Sequence, residues 1–267
     1  MSKFQFYMRA HVYYIIYVAR GLFFLHSLQN EFLYAILIKN GSSYMKINDK
    51  LLKNDVSAQN QTQKKLHFVE SDNPSARRVL FFGNSITLHA PKADIGWNHN
   101  WGMAASAEEK DYVHLVVKGL QERYGDIAYA IAGVGDFERG YWEEDALTPF
   151  QNAKEFQADT VIFRFGENIR RNDLATHPLF EHLKAFVEYF AQGAKKVVLT
   201  DCFWEYESVG NDFKRLAQEN GYDFVSLSDL GYQDENMAIG LFEHKGVAMH
   251  PGDLGMQRIA ERILEKL

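Results

Sequence analysis

Four short blocks of this chain carry the residue types of acyl-transfer chemistry. Gly83-Asn84-Ser85 presents a hydroxyl just behind a glycine, and Met249-His250-Pro251-Gly252 presents an imidazole. A serine hydroxyl is a poor nucleophile until a neighbouring base takes its proton. Histidine is the side chain whose ordinary pKa suits that task near neutrality, and Pro251 holds His250 in extended backbone. Between these blocks, Ala132-Gly133-Val134-Gly135 lets the backbone approach a ligand closely. Gly166-Glu167-Asn168 adds a side-chain amide that could donate to an oxyanion. Each block also has a purely structural use. Ser85 could cap a helix, the glycines could end a strand, Asn168 could close an Asx turn, and His250 is one of ten histidines. The glycines at 133, 135 and 140 are spaced G-x-G-x4-G, which is not the dinucleotide fingerprint.

The elements around these blocks alternate. Val79–Phe82, Ile127–Ile131, Thr160–Phe165, Lys196–Thr200 and Phe224–Leu227 are short apolar runs, the first three ending at Gly83, Gly133 and Gly166. Helical spacing follows four of them: after the first, a Ser106–Glu109 capping box leads Tyr112, Val113, Val116, Val117 and Leu120. Further helices are expected over 176–192, 210–220 and 253–267. Fully apolar strands alternating with helices imply a parallel sheet covered on both faces. Right-handed crossovers then give a doubly wound, three-layer α/β/α sandwich on a five-stranded parallel sheet. Ligands in such folds bind beyond the carboxyl ends of the strands, where the four blocks fall.

Taken together, Gly-x-Ser, Gly, Gly-x-Asn and His, each at a strand end, resemble the SGNH hydrolase superfamily of GDSL-type esterases over roughly residues 77–267. Gly83-Asn84-Ser85 stands where many members have Gly-Asp-Ser. The resemblance implies Ser85 as nucleophile, His250 as base, and an oxyanion hole made of the Ser85 N–H, a glycine N–H (Gly133, or Gly135) and the Asn168 amide. It implies no metal and no organic cofactor. One departure stands out: the family's aspartate three residues before the histidine is Val247 here. A base histidine needs a partner on its other nitrogen. A backbone carbonyl or Glu243 is favoured for that place, with Asp234 and Glu235 further back.

The loop 88–103 carries His89, Trp97, Asn98, His99 and Trp101. Trp97, Asn98 and Trp101 suit stacking on a sugar ring and bonding its hydroxyls, or else form a buried aromatic lid. Phe137, Glu138, Arg139, Tyr141 and Trp142 could form the opposite wall. Arg164, Arg170 and Arg171 could neutralise an acidic substrate or pair with Glu138, Glu143 or Glu144.

Composition narrows the classes. With 29 basic and 35 acidic residues the net charge is −6, which argues against nucleic acid as partner. Cys202 is the single cysteine, so there is no internal disulfide and no cysteine zinc site. Residues 1–40 are rich in aromatics, but Arg20 and His26 interrupt the apolar runs short of a membrane span. They read as an added helix or hairpin, and a cytoplasmic location is expected, with export or membrane anchoring as the alternative. Residues 41–76 read as a polar linker or small subdomain. The expected function is hydrolysis of short acyl esters, acetyl above all, on a small or carbohydrate substrate. The competing readings are a lipase- or thioesterase-like hydrolase and a catalytically silent carbohydrate-binding protein.

Overall fold

The computed structural model describes residues 66–267 and, as backbone alone, two earlier strands, β1 (Tyr14–Val18) and β2 (Gly21–Leu25). These two form an antiparallel hairpin, with Tyr14 opposite Leu25 and Val18 opposite Gly21. The rest of the 1–40 extension, and the 41–76 segment as far as residue 65, lie outside the described residues. No helix among the described residues is long and apolar enough to cross a membrane.

The main unit is built on a sheet of β3 (Leu66–Val69), β4 (Arg77–Gly83), β5 (Ile127–Gly133), β6 (Thr160–Arg164), β7 (Lys196–Thr200) and β8 (Asp223–Val225), in the order β3-β5-β4-β6-β7-β8. The five strands β4 to β8 run parallel, as the alternation of apolar runs requires. The sixth, β3, pairs antiparallel along the β5 edge with Leu66 opposite Ala132. It lies inside the stretch expected to be linker, because its four residues are too few and too exposed to stand out. The sheet therefore begins before residue 77. At the other edge β8 stops at Val225 rather than Leu227. The Asp201 carboxylate accepts from the Leu227 and Ser228 N–H groups and takes them out of the ladder.

Side chains of β4 alternate as a strand buried on both faces must. Val79 and Phe81 join one core with residues of α1 (Tyr112–Tyr124) and of the last helix. Leu80 and Phe82 join the other. The first helical turn differs from the capping-box expectation. Glu108–Lys110 is a 3-10 turn, and α1 starts after Asp111, whose carboxylate accepts from the His114 N–H at 2.9 Å. Ser106 instead donates to Asp253. After β5 come α2 (Gly135–Gly140) and α3 (Gln151–Glu155). After β6 come α4 (Arg171–Thr176) and α5 (Leu179–Ala191), and after β7 comes α6 (Glu207–Asn220). The chain then passes α7 (Lys245–Ala248) and α8 (Asp253–Leu264).

Phe186 of α5 centres the second core. Its ring lies 4.1 Å from that of Phe137 and 5.2 Å from that of Phe82, and it also meets Phe150, Phe163, Phe165 and Phe190. Truncating a buried phenylalanine removes its transfer free energy and leaves a cavity. Phe186→Ala should therefore cost about 3–5 kcal/mol in a denaturant melt; a loss under about 1 kcal/mol would contradict this packing.

Candidate active site

β4, β5 and β6 are adjacent, and β4 sits where the crossovers change direction, so their carboxyl ends open a crevice at the topological switch point. At the end of β4 the chain turns sharply, with the Thr87 and Leu88 N–H groups both donating to Asn84 O at 2.9 Å. A Cβ at Gly83 would overlap Thr87 and lie 2.8 Å from Arg164 O, so only glycine fits beneath the turn. The turn leaves Ser85 half-buried at the crevice. The loop 88–103 braces it from behind. The loop closes on itself through bridges His89–Trp101 and Lys92–Trp97. Met103 N–H donates to Ser85 O at 2.8 Å, and the buried Asp111 takes the Gly102 N–H at 3.0 Å.

Ser85 Oγ lies 2.8 Å from His250 Nε2, across 165 residues of sequence. His250 Nδ1 lies 2.7 Å from Gly246 O in α7. A carbonyl only accepts, so Nδ1 carries the hydrogen in the neutral ring, and Nε2 turns its lone pair toward the serine hydroxyl. The carbonyl thus holds the place in which Glu243 was a candidate. Glu243 is exposed, and Glu235 pairs with Arg258. Val247 offers the ring no polar partner: it is buried in a small apolar cluster with Trp97, Met103, Ala104 and Ala238. Trp204 packs edge-on to the His250 ring at 5.5 Å. Burial pushes His250 down to about 4, the Gly246 hydrogen bond opposing this and Arg164 and His89 adding to it.

Ser85, His250, Gly133, Gly135 and Asn168 line one hollow of about 540 Å³, with Leu88, Ile95, Met103 and Val247 as apolar wall and His89, Lys92, Asp136, Arg139 and His244 as polar wall. Trp97, Asn98 and Trp101 do not line it. Trp97 is fully buried with its indole N–H on His89 O at 3.0 Å, and Trp101 donates to Ala105 O at 2.9 Å. These rings hold the loop together, so the lid alternative is the one realised. Among the described residues no cluster of His, Cys, Asp or Glu has metal-site geometry.

Beneath the hollow lies a polar network of which sequence reasoning named Arg164 and Glu138 but not the parts of Asn84 and Glu167. Arg164, fully buried, donates to Asn84 Oδ1 at 2.9 Å and is paired with Glu167. It is therefore not available to an acidic substrate. Asn84 Nδ2 donates both to Glu138 Oε1 (2.9 Å) and to Glu167 Oε2 (2.5 Å). An aspartate at 84 could donate to neither, which gives a physical reason for Gly-Asn-Ser here. The signal in the sequence was Arg164 itself: a charge inside an apolar strand needs buried carboxylates nearby.

No protein-family model matches the sequence, and no curated protein does. Solved structures do match. The lipase/acylhydrolase from Enterococcus faecalis superposes with a TM-score of 0.50 at 17% identity, over 71% of this chain and 94% of that one. An acetylxylan esterase from Geobacillus stearothermophilus gives 0.44 at 19% identity, over 72% of this chain and 94% of that one. The three-layer α/β fold expected from the sequence is the fold that the chain shares with the first of these, the antiparallel strand β3 being additional to the five strands expected.

The electrostatics of His250 are open to direct measurement. An NMR titration of its ring should show a midpoint of about 4, with Nδ1 protonated above it. A midpoint near the ordinary value of 6.5 would contradict a buried, carbonyl-held imidazole.

Proposed function

We propose that this protein is a serine esterase that cleaves short acyl esters through an acyl-enzyme intermediate. The observation that carries the reading is the Ser85–His250–Gly246 relay, 2.8 and 2.7 Å, opening on a hollow lined with amide donors. His250 Nε2 takes the hydroxyl proton as Ser85 Oγ attacks the ester carbonyl. The tetrahedral oxyanion is held by the Ser85 N–H, a glycine N–H and the Asn168 amide. Gly135 suits the middle place better than Gly133. Val134 N–H donates across to Gly83 O on β4 at 2.7 Å, so strand alternation turns the Gly133 N–H away from Ser85. Gly135 opens α2, where N–H groups have no intrahelical partner. His250 then protonates the leaving alcohol, the acyl-enzyme forms, and water repeats the cycle with His250 as base.

The apolar wall beside Ser85 suits a short acyl group such as acetyl. The polar wall of His89, Lys92, Asp136, Arg139 and His244 suits a hydroxylated acceptor, so a carbohydrate ester is the favoured substrate, bound without the Trp97 and Trp101 stacking first expected. A silent binding role has one point in its favour, the lack of a carboxylate behind His250. It does not account for a serine and an imidazole in hydrogen-bonding register.

Ser85→Ala should abolish turnover of a chromogenic acetyl ester and labelling by a fluorophosphonate, with the fold unchanged by circular dichroism. Residual turnover at the wild-type rate would remove Ser85 from the mechanism. Among acyl chain lengths, kcat/KM should be greater for acetyl than for octanoyl; the reverse order would point to a lipase-like groove.

A further inference from the structure

Glu138 is fully buried in α2, and all its hydrogen-bond partners are N–H donors. Its Oε1 accepts from Asn84 Nδ2 at 2.9 Å, from the Gly166 N–H at 2.7 Å and from the Asn168 N–H at 3.2 Å. Its Oε2 accepts from Asn168 Nδ2 at 2.6 Å. A group facing four donors acts as an acceptor-only carboxylate. It therefore fixes which end of the Asn168 amide faces it: Nδ2 must, and Oδ1 cannot. One Nδ2 hydrogen is spent on Glu138, and the second remains for a ligand in the hollow that Asn168 lines.

We infer that Glu138 is a positioning residue for the oxyanion hole, orienting the Asn168 amide so that a donor and not a carbonyl oxygen meets the developing negative charge. The inference rests on the esterase reading above. The same carboxylate ties the block after β4, through Asn84, to the block after β6, through Gly166 and Asn168. The nucleophile turn and the amide donor are thereby held to one centre. A fixed donor needs no reorientation when the oxyanion forms, which is where such groups gain their effect.

The experiment is a double-mutant cycle on a chromogenic acetyl ester. Glu138→Gln can present its own amide N–H to Asn168, drawing Oδ1 toward residue 138 and swinging the Nδ2 hydrogens off the line that Glu138 sets, or leave the amide unheld. It should lower kcat by about 10²-fold, the scale of losing one oxyanion donor, with KM little changed. Asn168→Ala should cost a similar factor, and adding Glu138→Gln to it should cost less than about twofold more, near the resolution of such cycles. Glu138→Asp, which keeps an acceptor-only carboxylate, should fall between wild type and Glu138→Gln, and it carries the cycle if Glu138→Gln does not fold. Losses that multiply independently in the double variant, or a full-rate Glu138→Gln enzyme, would overturn the inference. A wild-type protein inert to acetyl esters would instead overturn the esterase reading and this inference with it.

Discussion

The site depends on burying charge at the ends of three neighbouring strands. Glu138, Glu167 and Arg164 sit beneath the crevice, where an unpaired charge would cost several kcal/mol of order. The protein meets that cost with a planar amide. Asn84 gives its two hydrogens to the carboxylates and its oxygen to the guanidinium. Backbone N–H groups of Gly166, Asn168 and Phe203 complete the set. These requirements fix the ends of β4 and β6 relative to one another, and the turn bearing Ser85 inherits its place from them.

His250 is set by a different economy. A carboxylate behind a catalytic imidazole fixes the tautomer and stabilises the imidazolium. The Gly246 carbonyl can do the first as well as a carboxylate, because it accepts only. It cannot supply a full negative charge for the second. Burial under the Trp204 edge and the nearby Arg164 charge work further against the protonated ring. The ring is thus kept neutral, with Nε2 turned to Ser85, over a wide pH range.

Much of this was legible in the sequence. Period and punctuation revealed the five parallel strands, and the blocks at their ends located Ser85, Asn168 and His250, which the fold brings to one hollow. The failures have physical causes. β3 is a four-residue edge strand without a clean apolar pattern. Ser106 has the spacing of a capping box, but Asp253 holds its side chain and Asp111 caps instead. Trp97 and Trp101 look like a sugar platform by composition, yet composition cannot say which way a ring turns, and the two indoles donate to the backbone carbonyls of His89 and Ala105. Glu138 was read as part of a pocket wall or as an arginine partner, because nothing local marks a helical glutamate as the acceptor for amide donors from two distant strand ends.

The 165-residue separation between hydroxyl and imidazole bears on biogenesis. Synthesis proceeds from the N-terminal side and a domain folds as a unit, so Ser85 emerges long before the segment bearing His250 is made. At that stage the hydroxyl has no imidazole within reach. The Ser85–His250 contact forms only when α7 and α8 dock, so that single hydrogen bond reports completed tertiary closure.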